Sequence, residues 1–206
     1  MRRNNLMGNC VWAQTAIEQA YHDQEWCTPK LDDREIFEWL VLELMQAGLS
    51  WRTILDKREA MRQAFDNFNP EIIAQYDDVK FQALMENAGI IRNRLKIQSV
   101  IKTAQAYGKV QDEWGSFAKY IWHFVNYQPI MNQWQENSEV PSQSDLSRAV
   151  SKSMKQYGFS FIGPTIAYSF IQAVGLVNDH LIGCDYYVKV QEQARLVKKH
   201  FINTDG

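Results

Sequence analysis

Apolar side chains recur along this chain three and four residues apart, and in no stretch do they alternate convincingly with polar ones. That period belongs to helices with one buried stripe rather than to half-buried strands. Helix punctuation falls between the stripes. Asp32 and Glu35 stand in capping-box spacing ahead of Ile36, Phe37, Leu40, Val41 and Leu44. Ser50 caps a stripe through Ile54, Leu55, Met61 and Phe65, and Asn69-Pro70-Glu71 sets a cap, a proline and an acidic residue in starting order. Val79, Phe81, Leu84 and Met85 mark another helix. From about Arg92 the pattern resumes, with a stop expected at Gly108. Ser116 starts a helix through Val125, and the polar stretch 126–142, with two prolines, reads as the longest loop. Leu146, Val150 and Met154 give a helix ended by Gly158. Pro164 precedes an apolar run, Thr165 to Val177, that reads as one buried helix. The expected fold is all-α.

At 206 residues the chain is expected to form one domain, over 1–186, followed by a basic-ended helical tail at 187–206. No apolar run is long enough to span a bilayer, and Met1-Arg2-Arg3-Asn4-Asn5 lacks the apolar segment of a secretory signal, so the expected compartment is the cytoplasm. Three cysteines are too few for a disulfide framework. A formal net charge of −2 gives no general attraction to nucleic acid, so any DNA-binding face must be a local patch. Seven tryptophans and nine tyrosines point to aromatic-lined pockets.

Two stretches carry chemistry that the helices alone do not require. In Leu42-Glu43-Leu44-Met45-Gln46-Ala47-Gly48-Leu49-Ser50-Trp51, a carboxylate lies beside the apolar stripe just before a break at Gly48. Either this is an ordinary helix–turn–helix corner with a solvated glutamate, or Glu43 is partly buried and needs a partner. In Asn87-Ala88-Gly89-Ile90-Ile91, a glycine turn joins two helices over about 82–107 as a helix–hairpin–helix. Such a turn either just connects helices or holds phosphate on its exposed N–H groups, with Arg92, Arg94 and Lys96 as a positive patch. Separately, Cys10 and His22 upstream, and His180 and Cys184 one helical turn apart downstream, suit tetrahedral zinc, at spacings that permit it without demanding it. Asp179 is either an outer partner of such a site or a helix cap. Cys27, His123 and His200 default to core or surface duty. The chain has no nucleophile elbow, P-loop or dinucleotide fingerprint.

Taken together, "CVW", "AYHDQEW", "LELMQAGLSW" with "TILDKRE", "AGIIRNRLKI", "FVNYQP", "YGFSFIGPT" and "QAVGLVNDHLIGC" are collinear over roughly residues 10 to 184. They resemble the DNA-3-methyladenine glycosylase I family of the helix–hairpin–helix superfamily. The resemblance implies a base-excision repair enzyme that flips 3-methyladenine out of alkylated double-stranded DNA and cleaves its glycosidic bond. It implies one structural zinc on Cys10, His22, His180 and Cys184, joining 1–30 to 175–186. It makes Glu43 the base-recognising, catalytic carboxylate, with Trp12, Tyr21, Trp26 and Trp51 as the aromatic pocket. Gly89, Arg92 and Arg94 fall in the DNA-binding hairpin, and Leu49 at the wedge position. A monomer with no organic cofactor is expected, and with no lysine placed as a Schiff-base nucleophile, no strand-cleaving step. Two positions depart from the family: Glu18 replaces a pocket tyrosine, and Cys27 replaces a glycine. Glu18 either joins the pocket or points away. The alternatives are a non-catalytic helix–hairpin–helix DNA-binding protein and a helical hydrolase with a catalytic zinc.

Overall fold

The computed structural model describes residues 10–203. The N-terminal stretch read for a secretory signal and the last three residues of the tail lie outside it. In chain order the helices are α1 (Ala16–Gln24), α2 (Asp33–Gln46), α3 (Trp51–Ala64), α4 (Pro70–Ile73), α5 (Asp78–Glu86), α6 (Arg94–Trp114) and α7 (Phe117–Trp122). After strand β1 (Ile130–Met131) come α8 (Asp145–Tyr157) and α9 (Pro164–Ala173). Strand β2 (Val177–Asn178), α10 (Asp185–Ala194) and α11 (Val197–Asn203) complete the fold. The starts follow the caps in the sequence: Asp32, Ser50, Asn69 and Ser116 each accept a hydrogen bond from the backbone N–H three residues on.

α2 is the central element. Every residue from Trp39 to Met45 is buried, and the helix packs against α3, α6, α7 and α9. Two side chains tie its ends to neighbouring helices. At the start, Asp33 accepts hydrogen bonds from the backbone N–H groups of Phe117 and Ala118 (3.0 and 2.7 Å) and from the Ser116 hydroxyl (2.8 Å), which ties α2 to α7. At the end, the Lys96 ammonium of α6 donates to the carbonyls of Met45 and Ala47 at 2.7 and 2.6 Å. Lys96 is therefore buried and turned inward, and does not belong to the positive patch expected at the hairpin.

Four expected boundaries are corrected. α6 runs through Gly108 to Trp114, because its apolar stripe continues to Val110; the helix ends at Gly115, whose φ is +70°. The apolar run after Pro164 leaves the helix at Ala173, turns at Gly175 (φ +79°) and continues as β2, which pairs in parallel with β1. A Cβ on Gly175 would lie 2.6 Å from the backbone of Thr28 and Pro29, so this close approach requires glycine. His180 and Cys184 accordingly lie on a turn after β2 rather than on one helical turn, with Cys184 as the N-cap residue of α10. The tail is two helices instead of one, and Val197 and Phe201 of α11 are buried, with the Phe201 ring 4.9 Å from that of Tyr127.

Candidate active site and metal centre

A cavity of about 470 Å³ opens between the first segment, the end of α2, the start of α3, and α9. Four of the aromatic residues named from the sequence line it: Trp12, Tyr21, Trp26 and Trp51, together with Glu43. Their rings touch in series, with Trp12 to Trp26 at 5.0 Å, Trp12 to Tyr21 at 6.0 Å and Tyr21 to Trp51 at 5.1 Å between centroids. Centroid spacings of this order are those of edge-on and offset aromatic packing, so each ring holds the next in place.

Glu43 is 4% exposed, and its Oε2 has no hydrogen-bond partner. Burial alone pushes its carboxyl from the ordinary 4.5 up to about 8. A carboxyl buried beside four aromatic rings is costly for folding unless a ligand repays it. The solvated-glutamate alternative is thereby overturned.

A second layer went unread in the sequence. Trp39, one turn before Glu43 on α2, packs behind Tyr21 at 5.2 Å and Trp51 at 6.2 Å. The Arg58 guanidinium sits 4.3 Å from the Trp39 ring and donates to Glu25 and Glu38 at 2.7 and 2.8 Å. The signal was present, since residues four apart on a helix share a face. The polar loop also contributes a wall: Asn137 and Val140 line the cavity.

Neither of the two departures from the family pattern lines the cavity. Glu18 points away, closing a capping box in which its carboxylate accepts from the Thr15 hydroxyl at 2.8 Å and the Thr15 N–H at 3.0 Å. Cys27 is fully buried with φ +58°, the backbone conformation that glycine adopts freely, and its Sγ accepts the Asp179 N–H at 3.3 Å. Asp179 neither caps a helix nor bonds to a metal-ligand side chain. Its side chain lines the cavity and accepts four hydrogen bonds, from Asn132, Trp134, Tyr168 and Gln172.

At the corner, Gly48 has φ +76°, and Leu49 after it is 38% exposed. In the hairpin, between α5 and α6, Gly89 donates its N–H to Asn87 Oδ1 at 2.8 Å, and a Cβ there would press on Ala60 at 3.3 Å. Lys57 donates to the carbonyls of Ala88 and Gly89. Arg92 and Arg94 are exposed, with the Arg94 guanidinium 5.0 Å from the Phe81 ring.

Cys10, His22, His180 and Cys184 converge, all buried, with their ligand atoms within 4.8 Å of one another. Tetrahedral zinc with these donors has edges of about 3.3–3.8 Å. The structure gives 3.7 Å from Cys184 Sγ to each imidazole nitrogen, 3.9 Å from Cys10 Sγ to His180 Nδ1, and 3.1 Å from His180 Nδ1 to His22 Nε2. The outer nitrogens are engaged as a metal site needs: His22 Nδ1 with Asp23 at 2.7 Å, and His180 Nε2 with the Trp26 carbonyl at 3.2 Å. The Cys184 thiol is pushed down, chiefly by its hydrogen bond with Cys10 and then by the two imidazoles. The donor set fits a single metal ion and leaves no open tetrahedral position.

A family model described as methyladenine glycosylase matches residues 12–187. The DNA-3-methyladenine glycosylase 1 of Escherichia coli is 45% identical over 182 residues, covering 88% of this chain and 97% of its own. The structure of 3-methyladenine DNA glycosylase I from Staphylococcus aureus superposes with a TM-score of 0.82 at 38% identity, covering 84% of this chain and 92% of that one. A 3-methyladenine DNA glycosylase I in complex with 3-methyladenine gives the same TM-score of 0.82 and the same identity of 38%, covering 84% of this chain and 92% of that one. With the aromatic cavity, the buried carboxyl and the four-ligand cluster in place, the chain belongs to the methyladenine glycosylase family.

Proposed function

We propose that the protein is a monofunctional DNA glycosylase that hydrolyses the N-glycosidic bond of 3-methyladenine in alkylated double-stranded DNA. The observation that carries this reading is Glu43, a carboxyl buried without a partner on Oε2 in an aromatic cavity. A 3-methylated adenine in DNA is cationic. Aromatic faces attract a cation by roughly 0.5–2 kcal/mol each, and an ionised Glu43 adds charge complementarity and accepts hydrogen bonds from the base edge. Neutral adenine offers the same edge but rewards neither the cation attraction nor the charge complementarity.

In the reaction the bond between the deoxyribose C1′ and the base nitrogen breaks, and its electron pair leaves with the base, which departs neutral. Water oxygen bonds to C1′ and its proton passes to solvent. Because the base is already a good leaving group, Glu43 selects and orients it and need not act as a strong acid. Flipping the nucleotide out of the stack costs a few kcal/mol. Leu49 offsets part of that as a wedge filling the gap, while Gly89, Arg92 and Arg94 grip the backbone phosphates. Cys10, His22, His180 and Cys184 hold one zinc, which supplies a cross-link between 1–30 and 175–186 and no activated water. On this reading residues 1–186 are one catalytic domain, 187–206 a C-terminal helical tail, and the enzyme works as a cytoplasmic monomer without an organic cofactor. No helix among the described residues is long and apolar enough to cross a membrane.

The test is incubation with methylated duplex DNA, scored for free base and for strand breaks. Released 3-methyladenine with intact abasic strands is expected. Binding of the duplex with no base released would leave a non-catalytic helix–hairpin–helix DNA-binding protein.

A further inference from the structure

Asp179 makes an unusual demand on its neighbours. It is 1% exposed, and each of its oxygens accepts two hydrogen bonds. Oδ1 takes Asn132 Nδ2 at 2.6 Å and Trp134 Nε1 at 2.7 Å; Oδ2 takes Tyr168 Oη and Gln172 Nε2, both at 2.7 Å. Gln172, on α9, lines the same cavity as Glu43. A carboxylate only accepts, so the Gln172 amide must turn its NH2 to Asp179. One N–H is thereby committed to Asp179, and the end of the amide turned away from it is the carbonyl oxygen, an acceptor.

We propose that Gln172 reads the amino edge of the flipped base, and that Asp179 is the positioning residue that decides which end of the amide faces the cavity. This rests on the glycosylase reading above and deepens it. An adenine carries an amino donor at position 6, which Gln172 Oε1 can accept. A guanine carries a carbonyl there, and would set acceptor against acceptor. The pair thus selects 3-methyladenine over 3-methylguanine, a discrimination that a shaped aromatic slot alone makes poorly.

The same inventory of donors predicts the effect of Asp179→Asn. Trp134 Nε1 can only donate, so the carbonyl of the introduced amide must face it. The NH2 of that amide then faces Tyr168, whose hydroxyl can accept, and Gln172, whose own amide must turn over to present its oxygen. The cavity now meets the Gln172 NH2, and the preference moves toward the 6-carbonyl base. Gln172→Met removes both amide ends at nearly constant volume.

The experiment measures kcat/KM for release of 3-methyladenine and 3-methylguanine from methylated duplex by the wild type, Asp179→Asn and Gln172→Met. Binding of each free base, followed by tryptophan fluorescence, keeps the comparison readable where release is slow. Metal content and thermal midpoint are recorded for each variant. Gln172→Met is expected to narrow the preference for 3-methyladenine about tenfold, the effect of one buried hydrogen bond. Asp179→Asn is expected to narrow it further by raising activity and binding toward 3-methylguanine, which a loosened fold does not do. An unchanged preference in both variants overturns the inference while leaving the glycosylase reading intact. If Asp179→Asn loses metal or fails to fold, Gln172→Met decides alone. A wild type that releases neither base overturns both.

Discussion

Glu43 sets two free energies against each other. With its carboxyl raised from 4.5 to about 8, the folded protein keeps a proton that the unfolded chain has released anywhere between those values. Stability must therefore fall as pH rises from 4.5 to about 8, and this group contributes no further slope on either side. Glu43→Gln removes that slope. By pH 7 the variant is expected to be more stable than the wild type by roughly 3 kcal/mol relative to their difference at pH 4, from about 1.4 kcal/mol per unit. Denaturant melts at the two pH values check it; a constant difference contradicts the buried carboxyl. The same ionisation enters catalysis, since a cationic base needs the charged form. The log of kcat/KM for 3-methyladenine is expected to fall with unit slope as pH drops below about 8. The sequence made Glu43, the pocket aromatics and the four residues that could hold a metal legible, because they sit in long stretches shared with a known family. It left Trp39 and Gln172 unread and gave Asp179 only the metal-partner and helix-cap readings that the structure overturns, since their roles depend on which side chains meet across the fold.

At the scale of elements, the glycines separate punctuation that matters from punctuation that does not. Gly108 lies inside α6 with no atom within 4 Å of where a Cβ would be, so Gly108→Ala is expected to stabilise the protein by about 0.5–1 kcal/mol. Gly175→Ala must place a methyl 2.6 Å from the backbone of Thr28 and Pro29 at φ +79°, and a loss of roughly 3 kcal/mol is expected. Thermal melts of both decide the assignments. Taking Gly108 as a stop ends α6 too early, and reading through Gly175 carries the run after Pro164 too far. The hairpin gives a third test. Arg92 is exposed and Lys96 is buried against the end of α2. Arg92→Ala is expected to reduce the salt dependence of DNA affinity by about one phosphate contact, and Lys96→Met to leave that slope unchanged. Equal slopes for all three proteins would remove Arg92 from the DNA interface. Charge runs in a sequence do not reveal which lysine points inward, and Lys96 shows the consequence.

Over the whole molecule, distant parts of the chain are joined at one edge of the base pocket. The metal-ligand cluster brings Cys10 and His22 to His180 and Cys184, and His180 Nε2 holds the Trp26 carbonyl, so the cluster supports one wall of the cavity. Elemental analysis is expected to find one zinc per chain. Chelation is expected to lower the melting midpoint by about 6–12 °C, corresponding to about 3 kcal/mol in a chain of this size. An undiminished midpoint would mean that the cluster carries no stabilising ion. The all-helical architecture was legible from apolar period and caps, whereas the small parallel β1–β2 pair was not, because two-residue strands have no period to read. The central claim is that a damaged, cationic base is gripped by aromatic rings around Glu43. Its most direct test is single-turnover release of 3-methyladenine from methylated duplex by the wild type and Glu43→Gln at pH 8. Release about 100-fold slower or more in the variant is the result this account predicts; equal rates would contradict it.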